Sequence, residues 1–133
     1  MQLQLSIPIY WTKHFKTKPP KTVLLGMNWF RNAFHFDQNA AKQDYSELVA
    51  NQLPTPVPVF TTFTVHYDLY YKSPASDASN TIALIEKFTL DALKTANIIT
   101  DDNVKYHLGS SYSVIAQDKD NPRVIITIQE ASQ

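Results

Sequence analysis

Between Thr55 and Ala96 the spacing of apolar side chains changes period once, and that change narrows the folds open to the chain. Val57 and Val59, then Phe63, Val65, Tyr67, Leu69 and Tyr71, recur at every second residue, the pattern of a strand over 55–72 with one buried face. A shift of phase near Phe60 predicts a bend or bulge. Ile82, Ile85, Phe88, Ala92, Leu93 and Ala96 then recur at threes and fours, which predicts a helix of about four turns with one buried stripe. Asp77 or Ser79 is placed to accept the free N–H groups of its first turn, and Asn97 tolerates the left-handed conformation that commonly closes a helix. A strand that passes through five residues, Lys72 to Ser76, into an amphipathic helix must lie in a sheet that the helix covers.

The flanking segments fit the same plan. Leu3, Leu5, Ile7 and Ile9 alternate with polar residues over 2–9, a half-buried strand whose Pro8 suits an edge. Ala41, Tyr45, Leu48 and Val49 predict a helix from Asn39 to about Gln52, capped by Asp37 or Asn39, with Lys42, Asp44 and Glu47 on its wet face. Pro54, Pro56 and Pro58 end it. Val104–Leu108 and Tyr112–Ala116 read as two strands parted near Gly109, and Asp118–Pro122 as a turn. Arg123–Glu130 reads as a last strand with Val124, Ile126 and Ile128 on one face. The expectation is an α+β fold in a single domain, 1–133, with a mixed sheet of four to five strands and two main helices packed on it.

Composition removes several function classes. With no cysteine, disulfides and thiolate metal sites are excluded, and a cytoplasmic setting is accommodated. With two glycines, Gly26 and Gly109, no glycine loop can cradle a nucleotide phosphate, so no nucleotide cofactor is expected. His14, His35, His66 and His107 form no helical pair at ligand spacing, which argues against zinc. The N-terminus lacks the pattern of a signal peptide, and no apolar run has the length of a membrane span. Net charge is zero, yet 1–36 carries Lys13, Lys16, Lys18, Lys21 and Arg31 with no acid. The lysines interleave with Tyr10, Trp11, His14 and Phe15 in a segment read as a loop, a composition suited to phosphates and bases and equally to a solvated loop packed by its aromatics.

Lys87 and Asp91 share a helix face, flanked by Glu86 and Lys94, which is also how a solvated ion-pair row is spaced. The order of residues narrows the choice. Asp77-x-x-Asn80, Lys87-Phe88-x-x-Asp91-Ala92-Leu93 and Ala96-Asn97-Ile98-Ile99-x-Asp101-Asp102-x-Val104 resemble the RusA family of Holliday-junction resolvases in its phage-type form. Gly26-x-Asn28-Trp29-x-Arg31-Asn32 resembles a segment that such proteins carry ahead of their first helix. The resemblance implies a magnesium-dependent endonuclease, with manganese as the alternative ion, that cuts four-way and related branched DNA as a symmetric homodimer in the cytoplasm of a bacterial or phage-infected cell. It further implies Asp77, Lys87 and Asp102 as catalytic residues, and Asp77 and Asp102 as metal ligands with Glu86 and Asp101 as supplementary oxygens. Lys13, Lys16, Lys18, Lys21 and Arg31 would contact DNA, with Arg31 on phosphate and Asn28 and Asn32 fixing their loop; a packed connector is the other reading of that segment.

Two departures bear on these expectations. Ser79 stands where many relatives place a second carboxylate, and Asn97 where glycine is usual. A chain of this fold that grips branched DNA without cutting it is therefore the second reading, and a small α+β protein-interaction module the third.

Overall fold

The structure, a computed structural model, describes residues 1–131. In chain order these form β1 (Gln2–Pro8), β2 (Tyr10–Lys13), β3 (Lys21–Leu24), α1 (Met27–Asn32), α2 (His35–Ala50), β4 (Phe63–Tyr71), α3 (Ala78–Thr95), β5 (His107–Gln117) and β6 (Arg123–Glu130). Four strands make a mixed sheet in the order β1-β6-β4-β5, in which only β4 and β5 are parallel. β2 and β3 form a separate antiparallel hairpin. The fold is α+β, one small domain with three helices, two of them long. Among the described residues, no helix is long and apolar enough to cross a membrane.

Alternation explains the sheet's two faces. Leu3, Leu5 and Ile7 of β1, Val124, Ile126 and Ile128 of β6, and Phe63, Val65, Tyr67 and Leu69 of β4 are all buried, and their polar neighbours point away. α3 closes the buried side with Ile82, Leu84, Ile85, Phe88, Leu90 and Leu93. α2 packs against α3 through Ala41, Tyr45 and Val49. Where that contact is polar it is satisfied, since the hydroxyls of Tyr45 and Thr89 lie 2.6 Å apart in a hydrogen bond. Burial pushes the Tyr45 phenol above its ordinary range.

Several expected boundaries are corrected. The strand predicted from Thr55 begins at Phe63, because the alternate prolines at 54, 56 and 58 deny the preceding stretch a ladder; Phe60 makes only an isolated bridge to Ile99. The aromatic-basic loop at 10–21 is mostly hairpin, with Tyr10 opposite Leu24 and Lys13 opposite Lys21. The segment ahead of α2 is itself a helix, α1, and α2 starts at His35 with neither Asp37 nor Asn39 as its cap. The two strands expected around Gly109 are one, β5, whose register against β4 slips twice, between His107 and Gly109 and between Val114 and Ala116; Val104 is 90% exposed and outside it. The helix at 78–95, Asp77 as its cap, Asn97 at φ 59° and the strand at Arg123–Glu130 stand where the sequence puts them.

Candidate functional site

α3 runs back along the sheet from the end where β4 stops to the end where β4 starts, so the residues before and after it lie far apart. Its 18 residues span about 27 Å. Asp77 caps one end and Asp101 and Asp102 follow the other, with Glu86 and Lys87 between. The magnesium set expected from Asp77, Asp102, Glu86 and Asp101 is thus not assembled within one chain, and no cation can be shared by Asp77 and Asp102 there. Among the described residues, no three His, Asp or Glu side chains are arranged to hold a metal ion. Lys87 is set about 15 Å further along the helix axis than Asp77, and its ammonium faces the Phe30 ring at 5.9 Å.

At the first end, Asp77 accepts hydrogen bonds from the Ser79 hydroxyl at 2.9 Å and the Asn80 amide at 3.3 Å. These donors, Ser79 first, hold its carboxyl below the usual carboxylate range. Ser79, the position where the resemblance expects an acid, is therefore a donor to Asp77. Asn80 turns its side-chain oxygen to the Asn28 amide at 2.9 Å and so fixes the start of α1. Within α1, Asn32 bonds to the Asn28 carbonyl at 2.8 Å, and Arg31 lines a shallow hollow with Asn28, Asp77, Ser79 and Asn80. Two features of this flank left no signal in the hydropathy pattern. Phe34 and Phe36, at the corner between α1 and α2, stand 78% and 74% exposed. Lys72 and Lys119 gather beside Tyr10, with the Lys72 ammonium 5.4 Å from that ring.

The hairpin lies against this side of the helices. Trp11 donates its indole N–H to Asp44 at 2.8 Å and packs on Trp29, 5.7 Å between ring centroids. Lys13 pairs with Asp37 at 2.8 Å, and Lys13 and Lys18 both lie on the Phe15 ring. Lys16 and Lys21 face solvent.

At the other end, Ile98 and Ile99 are buried, and the Phe60 amide bonds to the Ile98 carbonyl at 2.8 Å, so the acid pair stands at the sheet's rim. Both Asp101 oxygens are engaged in the turn, one by the Asp102 amide at 2.7 Å and one by the Asn103 side chain at 3.2 Å. The first of these bonds, with Lys94 beside it, holds the Asp101 carboxyl below its usual range. Lys94, rather than Lys87, is the lysine among the acids: its ammonium is 3.4 Å from Asp102, 3.8 Å from Asp91 and 4.0 Å from Asp101. The spacing of Asp91 and Lys94 carried that signal, but only for the pair. Asp91 also binds Lys42 at 3.0 Å.

The open face of the sheet holds a third polar group. His66 bridges Ser111 at 2.7 Å and Asp68 at 3.0 Å. The group ties β4 to β5, the rim strand.

The Asn80 contact yields a direct test. A Cβ on Gly26 would lie 2.2 Å from the Asn80 side-chain nitrogen, so Gly26→Ala must expel that side chain and break its bond to Asn28. The expected cost is about 1–3 kcal/mol in denaturant unfolding, with a large part recovered when Asn80→Ala is added. Equal, additive losses would mean that Asn80 does not hold α1.

Comparison with protein-family models and with curated proteins returns no match for this chain.

Proposed function

We propose that this protein binds branched DNA and cuts it as a magnesium-dependent endonuclease of the RusA kind, working as a homodimer. One observation carries the DNA part: Arg31, the basic hairpin and two bare phenylalanine rings share one flank of the helical layer. Phe34 and Phe36 gain nothing from water at 78% and 74% exposure, whereas an unstacked base at a branch point would cover them. Arg31, Lys16 and Lys21 are exposed and free to meet phosphate. The cutting part rests on the run from Asp77 to Asp102. Since one chain separates those acids, no catalytic step is assigned to a metal within a single copy.

Ser79 favours a second reading, in which the protein grips branched DNA without cutting it, because Ser79 already occupies the Asp77 oxygen. A synthetic four-way junction separates the two. The nuclease gives paired, symmetric cuts with magnesium and none with chelator, while the second reading gives tight binding and no cuts in either. In both, Phe34→Ala weakens junction binding without changing its salt dependence, and Lys16→Ala with Lys21→Ala lowers the slope of log affinity against log salt by about 2. Affinity that ignores salt and all three substitutions would leave the protein-interaction module.

A further inference from the structure

We infer that Ser111, His66 and Asp68 form a nucleophilic site on the open face of the sheet, one that hydrolyses small carboxylic esters through an acyl-serine. His66 and Asp68 are two apart on β4 and so share a face, and Ser111 is the direct register partner of His66 on β5. His66 Nδ1 lies 2.7 Å from the Ser111 hydroxyl, and Nε2 lies 3.0 Å from Asp68 Oδ1. An ionised carboxylate only accepts, so in the neutral ring Nε2 carries the proton and donates it to Asp68. Nδ1 is then bare and accepts from the Ser111 O–H, the arrangement of a serine held against its general base. Asp68 is on the same strand as His66, so their bond joins nothing across the sheet. What it fixes is the tautomer and direction of the ring.

The face around these residues has the shape and the donors for a small molecule. β4 lies between β5 and β6, so His66 is held from both sides, with Thr127 as its partner on β6. The His66 and Asp68 side chains are 38% and 31% exposed and Ser111 is open to solvent, so an ester has access. Beside them is a hollow of about 420 Å³, whose walls include Thr64, Gly109, Thr127 and Gln129. The register slip at Leu108 borders it, and a Cβ on Gly109 would meet nothing within 4 Å, so an acyl group has room next to the serine. Thr127 accepts from the Gln4 side chain at 3.4 Å, which leaves its own hydroxyl proton to give. That proton, the Thr64 hydroxyl and the Gln129 amide are the donors for a carbonyl oxygen on which negative charge grows. Walls of this polarity suit a short acyl chain.

The reaction balances with water as its second reactant. As the Ser111 oxygen bonds to the ester carbon, its proton passes to His66 Nδ1, and Asp68 faces the imidazolium that results. Collapse of the tetrahedral adduct breaks the bond to the alcohol oxygen, which takes that proton from His66. Water then gives a proton to Nδ1 as it attacks the acyl-serine; Ser111 takes that proton back and the carboxylic acid departs. None of the acids or bases assigned to DNA or magnesium takes part, so the site stands apart from the nuclease reading.

The probes are p-nitrophenyl acetate and a fluorophosphonate, applied to the whole chain with chelator present. The parent should hydrolyse the ester at least about 100-fold faster than Ser111→Ala, and the fluorophosphonate should add once per chain, at Ser111 in the peptide map. In Asp68→Asn the side-chain amide donates to Nε2 and puts the ring proton on Nδ1, against the serine. Its rate should fall by at least about 100-fold with unchanged circular dichroism. Ser113→Ala, opposite Asp68 on β5 and outside the hydrogen-bonded set, should behave as the parent does. The chain has no cysteine, so Ser111→Cys gives a readout that does not depend on the alanine variant folding. Iodoacetamide should alkylate it at least about 10-fold faster than Ser113→Cys, because His66 favours the thiolate. A parent that neither hydrolyses nor labels, a label spread over several serines, hydrolysis that Ser111→Ala leaves intact, or equal alkylation of the two cysteines would overturn the inference.

Discussion

Mixed in equal amounts, Asp77→Asn and Asp102→Asn chains are expected to recover cutting that each has lost alone. Either substitution by itself removes a carboxylate from both sites of a symmetric dimer. The expected loss is at least about 100-fold, the scale set by removing a single group that bears on transition-state charge. In a mixed dimer with sites shared between chains, the intact Asp77 of one copy and the intact Asp102 of the other fall in the same site, and both defects fall in the second. Random pairing makes half of the dimers mixed, each with one sound site, so activity should return to about a quarter of the parent's. Nicking should return more strongly than paired cutting, because no mixed dimer has two sound sites. The check is cleavage of a labelled four-way junction with magnesium after the chains are unfolded and refolded together. No recovery beside an active parent would show that Asp77 and Asp102 do not meet in a site shared between chains.

The second large effect is on stability. Phe88 is 1% exposed and meets Phe30 edge-on at 5.6 Å and Tyr45 at 5.5 Å, so it is the point where α1, α2 and α3 converge. Phe88→Ala leaves a cavity that three elements cannot all close, and the expected cost is about 3–5 kcal/mol in denaturant unfolding. Because α1 holds Arg31, DNA affinity should fall even at temperatures where the variant remains folded. Phe88→Leu, which keeps most of the volume, should restore the greater part of both. A loss below about 1 kcal/mol for Phe88→Ala would show that this junction is looser than its packing distances imply.

What the sequence disclosed depended on whether a segment's structure is decided locally. α3 and β6 were legible because burial imposes their periods residue by residue, and Asp77 and Asn97 because capping chemistry is local. The β2–β3 hairpin was not, since its strands of four residues alternate too briefly to register and are held by Trp11, whose partner Asp44 is 33 residues away. β5 was divided in two because it is a rim strand: with none of its residues buried, no hydrophobic period runs through it. For the site, the residue types were readable and their distribution was not. Spacing from Asp77 to Asp102 looks compact on paper, yet a straight helix turns those 25 positions into opposite ends of the molecule. Lys94 was legible only as a helix ion pair, because its contacts with Asp101 and Asp102 require the chain to fold back after Asn97.

On β1, the Gln52 side chain accepts from the Ser6 amide at 2.8 Å and donates to the Ser6 carbonyl at 2.9 Å, a clamp that bears on assembly. A sheet with two open margins can add copies without limit and grow into a ribbon. Here the β1 margin is occupied at Ser6 by the chain's own amide side chain, so a strand from outside cannot run the length of that margin without displacing Gln52.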